Sequence, residues 1–208
     1  MLGADFHQVV QSTCLDGRIS PKFMHPGPGF GGSCFPKDIQ AFAALSNNKG
    51  LPMKTIEAAI SANDHQKIRM TEKMKSLMGG DFTGKQIAVL GLAFKPNTDD
   101  VRESSSIAMI QKIFDHGGHV RAYDPIANDS MKEIFPELNC FESWELACKD
   151  ADGVVIMTEW NEFRGMNLEV LKSLVSTPVI LDTRNILSIE KLNEYGFIFD
   201  NVGRKPVL

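Results

Sequence analysis

The stretch KQIAVLGLAF, residues 85–94, is apolar at nearly every position, not at alternate or helically spaced ones. A strand of that kind has both faces buried, as in a parallel sheet with helices on each side. The residues that follow repeat the theme. SSIAMIQKIFDHGG (105–118) sets Ile107, Ile110, Ile113 and Phe114 on one helical face before a Gly117-Gly118 stop. HVRAYDP (119–125), DGVVIMT (152–158) and PVILDTRN (178–185) read as further strands, with helical stretches around 128–134, 143–149 and 167–175. Strands alternating with helices specify an α/β fold with a doubly wound, Rossmann-like parallel sheet.

The first 80 residues have a different character. MLGADFHQVVQSTCLDG (1–17) reads as the second half of a helix, stopped by Gly17 and lacking a cap, so the expectation is a C-terminal piece of a longer protein. KDIQAFAALSNNKG (37–50) is a helix with Ile39, Phe42, Ala43 and Leu45 apolar and Gly50 as its stop. From about 52 to 78 runs a long helix with Pro52 in its first turn and Gly79-Gly80 after its last. Its apolar positions, Met53, Ile56, Ile60, Ile68 and Met74, form only a broken stripe. Such a helix usually lies between bodies or pairs with a partner, and a homodimer through it is expected. The sequence therefore divides near residue 80 into a helical part, 1–80, and an α/β part, 81–208.

Bulk composition narrows the partners. A net charge of −4 in 208 residues does not invite nucleic acid or an anionic membrane surface, and no apolar run approaches the roughly 20 residues of a membrane span. Cysteines at 14, 34, 140 and 148 form no CxxC pair, and no histidine stands at zinc-finger spacing. They read as free thiols in a reducing cytoplasm. His65, His116 and His119 read as surface or cap residues, so no metal is expected, and Trp144 and Trp160 read as packing residues.

Chemistry concentrates in HPGPGFGGSCFPKD, residues 25–38. Cys34 lies just before Pro36, which suits the first turn of the next helix. A thiol at a helix N-terminus faces free N–H donors and the positive end of the dipole, which favour the thiolate. Lys37 adds positive charge and Asp38 is a candidate base for water, while the glycines allow close backbone approach to a ligand. An inert buried cysteine in a glycine-rich turn is the plainer alternative; the lysine, the aspartate and the helix start together outweigh it. The residues alone give a reactive-thiol site without a substrate.

PGPGFGGSCFPKD resembles the active-site loop of the UDP-glucose/GDP-mannose dehydrogenase family, the nucleotide-sugar dehydrogenases. GLAFKPNTDDVRESSSI (91–107) and LDTRN (181–185) resemble two further blocks of that family, in the same order. Ser33 and Phe35 beside the cysteine match the UDP-glucose branch. The resemblance implies two successive NAD-dependent oxidations at C6 of UDP-glucose, giving UDP-glucuronate through a cysteine-bound thiohemiacetal and thioester. It implies Cys34 as nucleophile and Asp38 as the residue activating water. Lys37, Arg102 and the backbone at Cys34 would approach the cofactor. Substrate contacts fall on the loop His25, Pro26, Gly27, Pro28, Gly29, Phe30 and Gly31, on Phe94 and Lys95, and on Arg184. Arg18 would reach a neighbouring subunit's substrate.

VLGLAFKP invites a second reading, as a dinucleotide-binding turn with Asp124 as the ribose acid. Gly91, Ala93 and Pro96 stand where G-x-G-x-x-G needs glycines, so Asp124-Pro125 reads instead as a strand-end turn. The family's NAD-binding domain is expected upstream, and the fragment alone is expected to be inactive. The alternative function is a stand-alone UDP-sugar-binding or assembly module without turnover.

Overall fold

The computed structural model describes residues 3–204. Three helices come first: α1 (Phe6–Thr13), α2 (Phe35–Asn48) and α3 (Lys54–Leu77). There follow β1 (Gln86–Leu90), α4 (Ser105–Asp115), β2 (His119–Tyr123), α5 (Asn128–Ile134), β3 (Asn139–Cys140), α6 (Trp144–Cys148) and β4 (Gly153–Ile156). The chain continues through α7 (Asn161–Arg164), α8 (Leu168–Leu174), β5 (Val179–Asp182), α9 (Ile189–Glu194) and β6 (Ile198–Asn201). The strands form one sheet in the order β3-β2-β1-β4-β5-β6, and each neighbouring pair is parallel. This is the doubly wound arrangement expected from the sequence, with its switch point between β1 and β4.

The continuous apolar run of β1 is explained by its neighbours. Ile87 and Val89 pack with Val120, Ala122, Val155 and Leu181 beneath α3 and α4. Ala88 and Leu90 face the other way, with Val154, Ile156 and Ile180, beneath Trp144, Phe163, Leu171 and Leu192. Each face carries its own apolar layer, so from Ile87 to Leu90 no position on the strand is free to be polar.

α3 is split along its length. Met70, Met74 and Met78 belong to the same core as β1 and β5, so the sheet's apolar core extends back across residue 80. The upper part of α3 buries no large apolar side chain; Asn63 is its buried residue. α1 departs from expectation at both ends. Asp5 caps it, its carboxylate accepting from the Gln8 N–H at 3.1 Å. The helix ends at Thr13, well before Gly17. The Phe6 N–H donates to Gly203 O at 2.7 Å, tying α1 to the residues just past β6. The short elements α7, α9, β3 and β6 were not expected from the sequence.

Met74 is fully buried, whereas Ile68, on the same helix, is 57% exposed. Met74→Ala should cost about 2–5 kcal/mol in urea unfolding, and Ile68→Ala less than about 0.5 kcal/mol. Equal losses would mean that α3 does not lean on the sheet.

Candidate functional site

The site is assembled at the carboxyl ends of β1, β4 and β5, where open α/β sheets bind their ligands. Asp124, just past β2, organises the turn after β1. Its Oδ2 accepts from Leu92 N at 2.8 Å, Ala93 N at 3.2 Å and the Trp160 indole at 3.1 Å. Its Oδ1 accepts from Ile126 N and Ala127 N, both at 3.0 Å. The carbonyls of the turn are taken as well: Ser106 Oγ donates to Leu92 O at 2.7 Å and Thr158 Oγ1 to Ala93 O at 2.6 Å. Gly91 has φ +90°, and a Cβ there would stand 2.5 Å from Thr158 Cβ, so its glycine serves strand packing. The amides that a dinucleotide's pyrophosphate would need are therefore engaged, and so is the acid that a ribose would need. Asp124 is the strand-end turn residue expected from Asp-Pro, and Trp160 adds an indole hydrogen bond to its packing role.

The glycine-proline loop lies against this edge. Gly32 N–H donates to Arg102 O at 2.8 Å, and Ser105 Oγ donates to Gly29 O at 3.2 Å. A Cβ on Gly31 would come within 2.3 Å of Glu103 O, and one on Gly32 within 2.9 Å of the Phe94 ring. Only glycine permits that approach. Glu103 itself is left-handed, at φ +55°, a conformation uncommon for a residue with a side chain. From the other side α3 holds the loop: Gln66 Nε2 donates to Gly27 O at 2.9 Å, and Asn63 pairs with the backbone of Phe30.

At the end of this loop Cys34 is exposed and forms the N-cap position of α2, with Pro36 in the first turn. Ser33 Oγ lies 3.6 Å from its sulfur. Lys37 and Asp38 point into solvent, 3.9 Å apart. Arg102 is fixed by a bidentate pair with Asp100, Nε to Oδ1 and Nη2 to Oδ2, each 2.8 Å. That hydrogen bonding holds the Asp100 carboxyl below the usual carboxylate range despite its burial, and Asp100 in turn raises Arg102.

Arg184 anchors the far wall. Its Nε donates to Met157 O at 2.7 Å and its Nη2 to Phe94 O at 3.3 Å. Glu159 Oε2 stands 3.2 Å from Nε as a counter-ion, yet this buried oxygen accepts no hydrogen bond. Burial pulls the Arg184 guanidinium below its ordinary value, while Glu159 and Asp182 push the other way. Asp182 shapes the loop beneath it, accepting from Arg184 N at 3.0 Å and Leu187 N at 2.8 Å. A cleft of about 400 Å³ opens here, lined by His7, His25, Pro26, Glu159, Arg164, Arg184 and Asn185.

Of the residues singled out from the sequence, the loop 25–31, Phe94, Arg102 and Arg184 are thus brought to one edge. Lys95 lies over its neighbour's ring, 5.2 Å from the Phe94 centroid. Arg18 stands apart, exposed and paired with Asp16 at 2.5 Å. Sequence reasoning missed His7, Glu159, Arg164 and Asn185 in the cleft, and Asn63, Gln66 and Lys67 behind the loop. The last three did leave a signal, as polar residues at helical spacing where an apolar stripe was expected. Among the described residues no His, Cys, Asp or Glu cluster suits a metal ion, and no helix is long and apolar enough to cross a membrane.

A cleft at the carboxyl edge of a doubly wound sheet, beside a glycine-proline loop that ends in an exposed cysteine, defines the class: a doubly wound α/β protein with a candidate ligand cleft at the ends of its strands. Comparison with known proteins is more specific. The central domain of the UDP-glucose/GDP-mannose dehydrogenase family matches residues 1–65, and the UDP binding domain of that family matches residues 88–189. The chain belongs to this family. It is 42% identical over 203 residues to the UDP-glucose 6-dehydrogenase of Rhizobium meliloti (strain 1021), covering 98% of this chain and 46% of that one. Against UDP-glucose 6-dehydrogenase TuaD of Bacillus subtilis (strain 168) the identity is 41%, with 99% and 45% covered. A solved UDP-glucose dehydrogenase from Pyrobaculum islandicum superposes with a TM-score of 0.86 at 30% identity, over 98% of this chain and 45% of that one. The chain spans about half the length of the curated relatives it matches.

The contact between Gly31 and Glu103 O is backbone against backbone and cannot be relieved by a rotamer change. Gly31→Ala should therefore cost about 1–3 kcal/mol and lower the melting temperature. Unchanged stability would mean that the loop does not sit on Glu103.

Proposed function

We propose that this chain supplies the thiol loop and the UDP-sugar cleft of an NAD-dependent UDP-glucose 6-dehydrogenase, which converts UDP-glucose to UDP-glucuronate. The observation that carries the reading is the seating of Gly31-Gly32 on Phe94 and Glu103, with exposed Cys34 at the end of the same loop. Arg184 and His25 line the adjoining cleft. Arginine suits a diphosphate because its planar fork can bind two oxygens at once.

In this reading Cys34 Sγ adds to the carbonyl carbon of a C6 aldehyde. The thiol proton leaves to solvent and the carbonyl oxygen takes one up, giving a thiohemiacetal that cannot diffuse away. Once that carbon is oxidised to a thioester, water activated by Asp38 cleaves the C–S bond, releasing a carboxylate and returning the thiol. NAD supplies the two-electron oxidations before and after the addition. This sheet does not cradle it, since the 91–93 turn and Asp124 are engaged with each other. Lys37 and Arg102 would reach its edge, with the main holding residues lying outside the sheet. The loop 25–31 with Phe94, Lys95 and Arg184 would contact the sugar nucleotide, and Arg18 that of a neighbouring subunit. The functional division then falls near residue 80: the nucleophile and the pairing surface before it, the UDP-binding body after it.

Calorimetry tests the cleft. The 208-residue chain should bind UDP-glucose weakly and NAD hardly at all, and should produce no NADH. Arg184→Lys should weaken UDP-glucose binding about tenfold through loss of the bidentate hydrogen bonds. In an enzyme carrying this chain, Cys34→Ser should abolish UDP-glucuronate formation while leaving that binding largely intact. Sustained NADH production by Cys34→Ser, at two equivalents per sugar, would remove the nucleophile.

The proposed partner, besides the substrate, is a second copy of the chain. Support comes from apolar side chains left open on α2 and on the turn between α2 and α3: Phe42, Leu45 and Leu51 are each about half exposed or more. Light scattering at micromolar concentration should give a dimer. A mass near 23.0 kDa at every concentration would count against the pairing.

A further inference from the structure

Asn63 makes a reciprocal amide clamp on one residue of the thiol loop. The Phe30 N–H donates to Asn63 Oδ1 at 2.7 Å, and Asn63 Nδ2 donates back to Phe30 O at 3.1 Å. Asn63 is 9% exposed, so both bonds are largely shielded from water and a lost partner would leave a costly unpaired amide. The clamp does not stop at the backbone. The Phe30 ring packs edge-on against the Phe35 ring, with centroids 4.9 Å apart. Phe35 is the first residue of α2 and directly follows Cys34. A chain of contacts therefore runs from α3 through Phe30 and the half-exposed Phe35 to the residue that carries the thiol.

Neighbouring contacts on α3 reinforce this path without duplicating it. Gln66 holds Gly27 O, further back in the loop. Lys67 Nζ reaches Glu103 O at 3.3 Å and Glu103 Oε2 at 3.4 Å, on the body beneath the loop. Asn63 alone of the three touches the residue whose ring meets the helix start. We propose that Asn63 is a positioning residue for Cys34, acting through Phe30 and Phe35 to hold the sulfur at the N-terminus of α2. The proposal rests on the reading of Cys34 as nucleophile, because only a reacting thiol needs its position fixed.

The test compares iodoacetamide alkylation of Cys34 with that of Cys14 in the same molecules, resolved by peptide mass spectrometry near neutral pH. Asn63→Ala should lower the Cys34:Cys14 rate ratio by about fivefold, the equivalent of one net hydrogen bond. Phe30→Leu, which leaves the backbone clamp and removes the ring, should lower it by a similar factor. Because both act along one path, the double variant should lose no more than either single one. Asn63→Asp is isosteric and keeps only the acceptor half; it should fall between, and it carries the comparison if Asn63→Ala does not fold. A lower melting temperature with the ratio unchanged, or two effects that multiply in the double variant, would overturn the proposal. A wild-type ratio near one that UDP-glucose does not alter would instead sink the dehydrogenase reading, while the variants still report on the clamp.

Discussion

One buried carboxylate sets what the working edge of this sheet can do. Asp124 takes five donors from three separate segments, the turn after β1, the turn after β2 and the Trp160 indole. Without it, the amides of Leu92 and Ala93 would be buried and unpaired, at a cost of the order of 1–3 kcal/mol each. With it, the position where a dinucleotide fold presents bare amides to a pyrophosphate is closed. The open cleft lies to the side, toward the ends of β4 and β5 and the loop lying over Phe94. A fold that in other proteins cradles a dinucleotide thus offers a different cleft, and the change is made by hydrogen bonds inside the edge, with strand order preserved.

The second organising feature is the change of character along α3. Its C-terminal turns are methionine-rich and lean on the sheet, where flexible thioethers fill the space between helix and strands. Its middle turn is amide and lysine at the same helical spacing, and it grips a loop made of glycines and prolines. Such a loop has little apolar surface of its own and must be held by polar contacts to its backbone. The helix is thus one rod with two kinds of grip, apolar on the sheet and polar on the loop, and both are required to set one against the other.

Much of this was legible in the residues and some was not. The buried parallel strand was visible because burial on both faces leaves the run 87–90 with no polar position. The α4 helix was visible because its apolar residues recur on one face over three turns. β3, α7 and α9 are too short for any period to emerge. β6 is an edge strand whose Ile198 faces solvent, so its pattern is that of a loop. The broken stripe on α3 was read as a sign of a missing partner for the whole helix. Part of the break has a different cause, because Asn63, Gln66 and Lys67 are inward-facing positions whose contacts are backbone amides and carbonyls, which hydropathy cannot register. The absent cap on α1 was a misreading of Asp5, which caps a helix shorter than the apolar run had suggested. His7, Glu159 and Asn185 could not have been found from the sequence, since they meet only through folding.

The bond from Phe6 N to Gly203 O brings the two extremes of the described chain into register. Asn185, in the cleft wall, is likewise fixed by Val202, donating to its carbonyl at 2.8 Å and accepting from its amide at 3.0 Å. The wall that carries His7 and Asn185 therefore depends on residues 202 and 203. On a ribosome, where domains fold as they emerge from the N-terminus, the thiol loop would be made long before its cleft could close. Between the making of Cys34 and the completion of the cleft wall, the chain has to extend as far as residues 202 and 203.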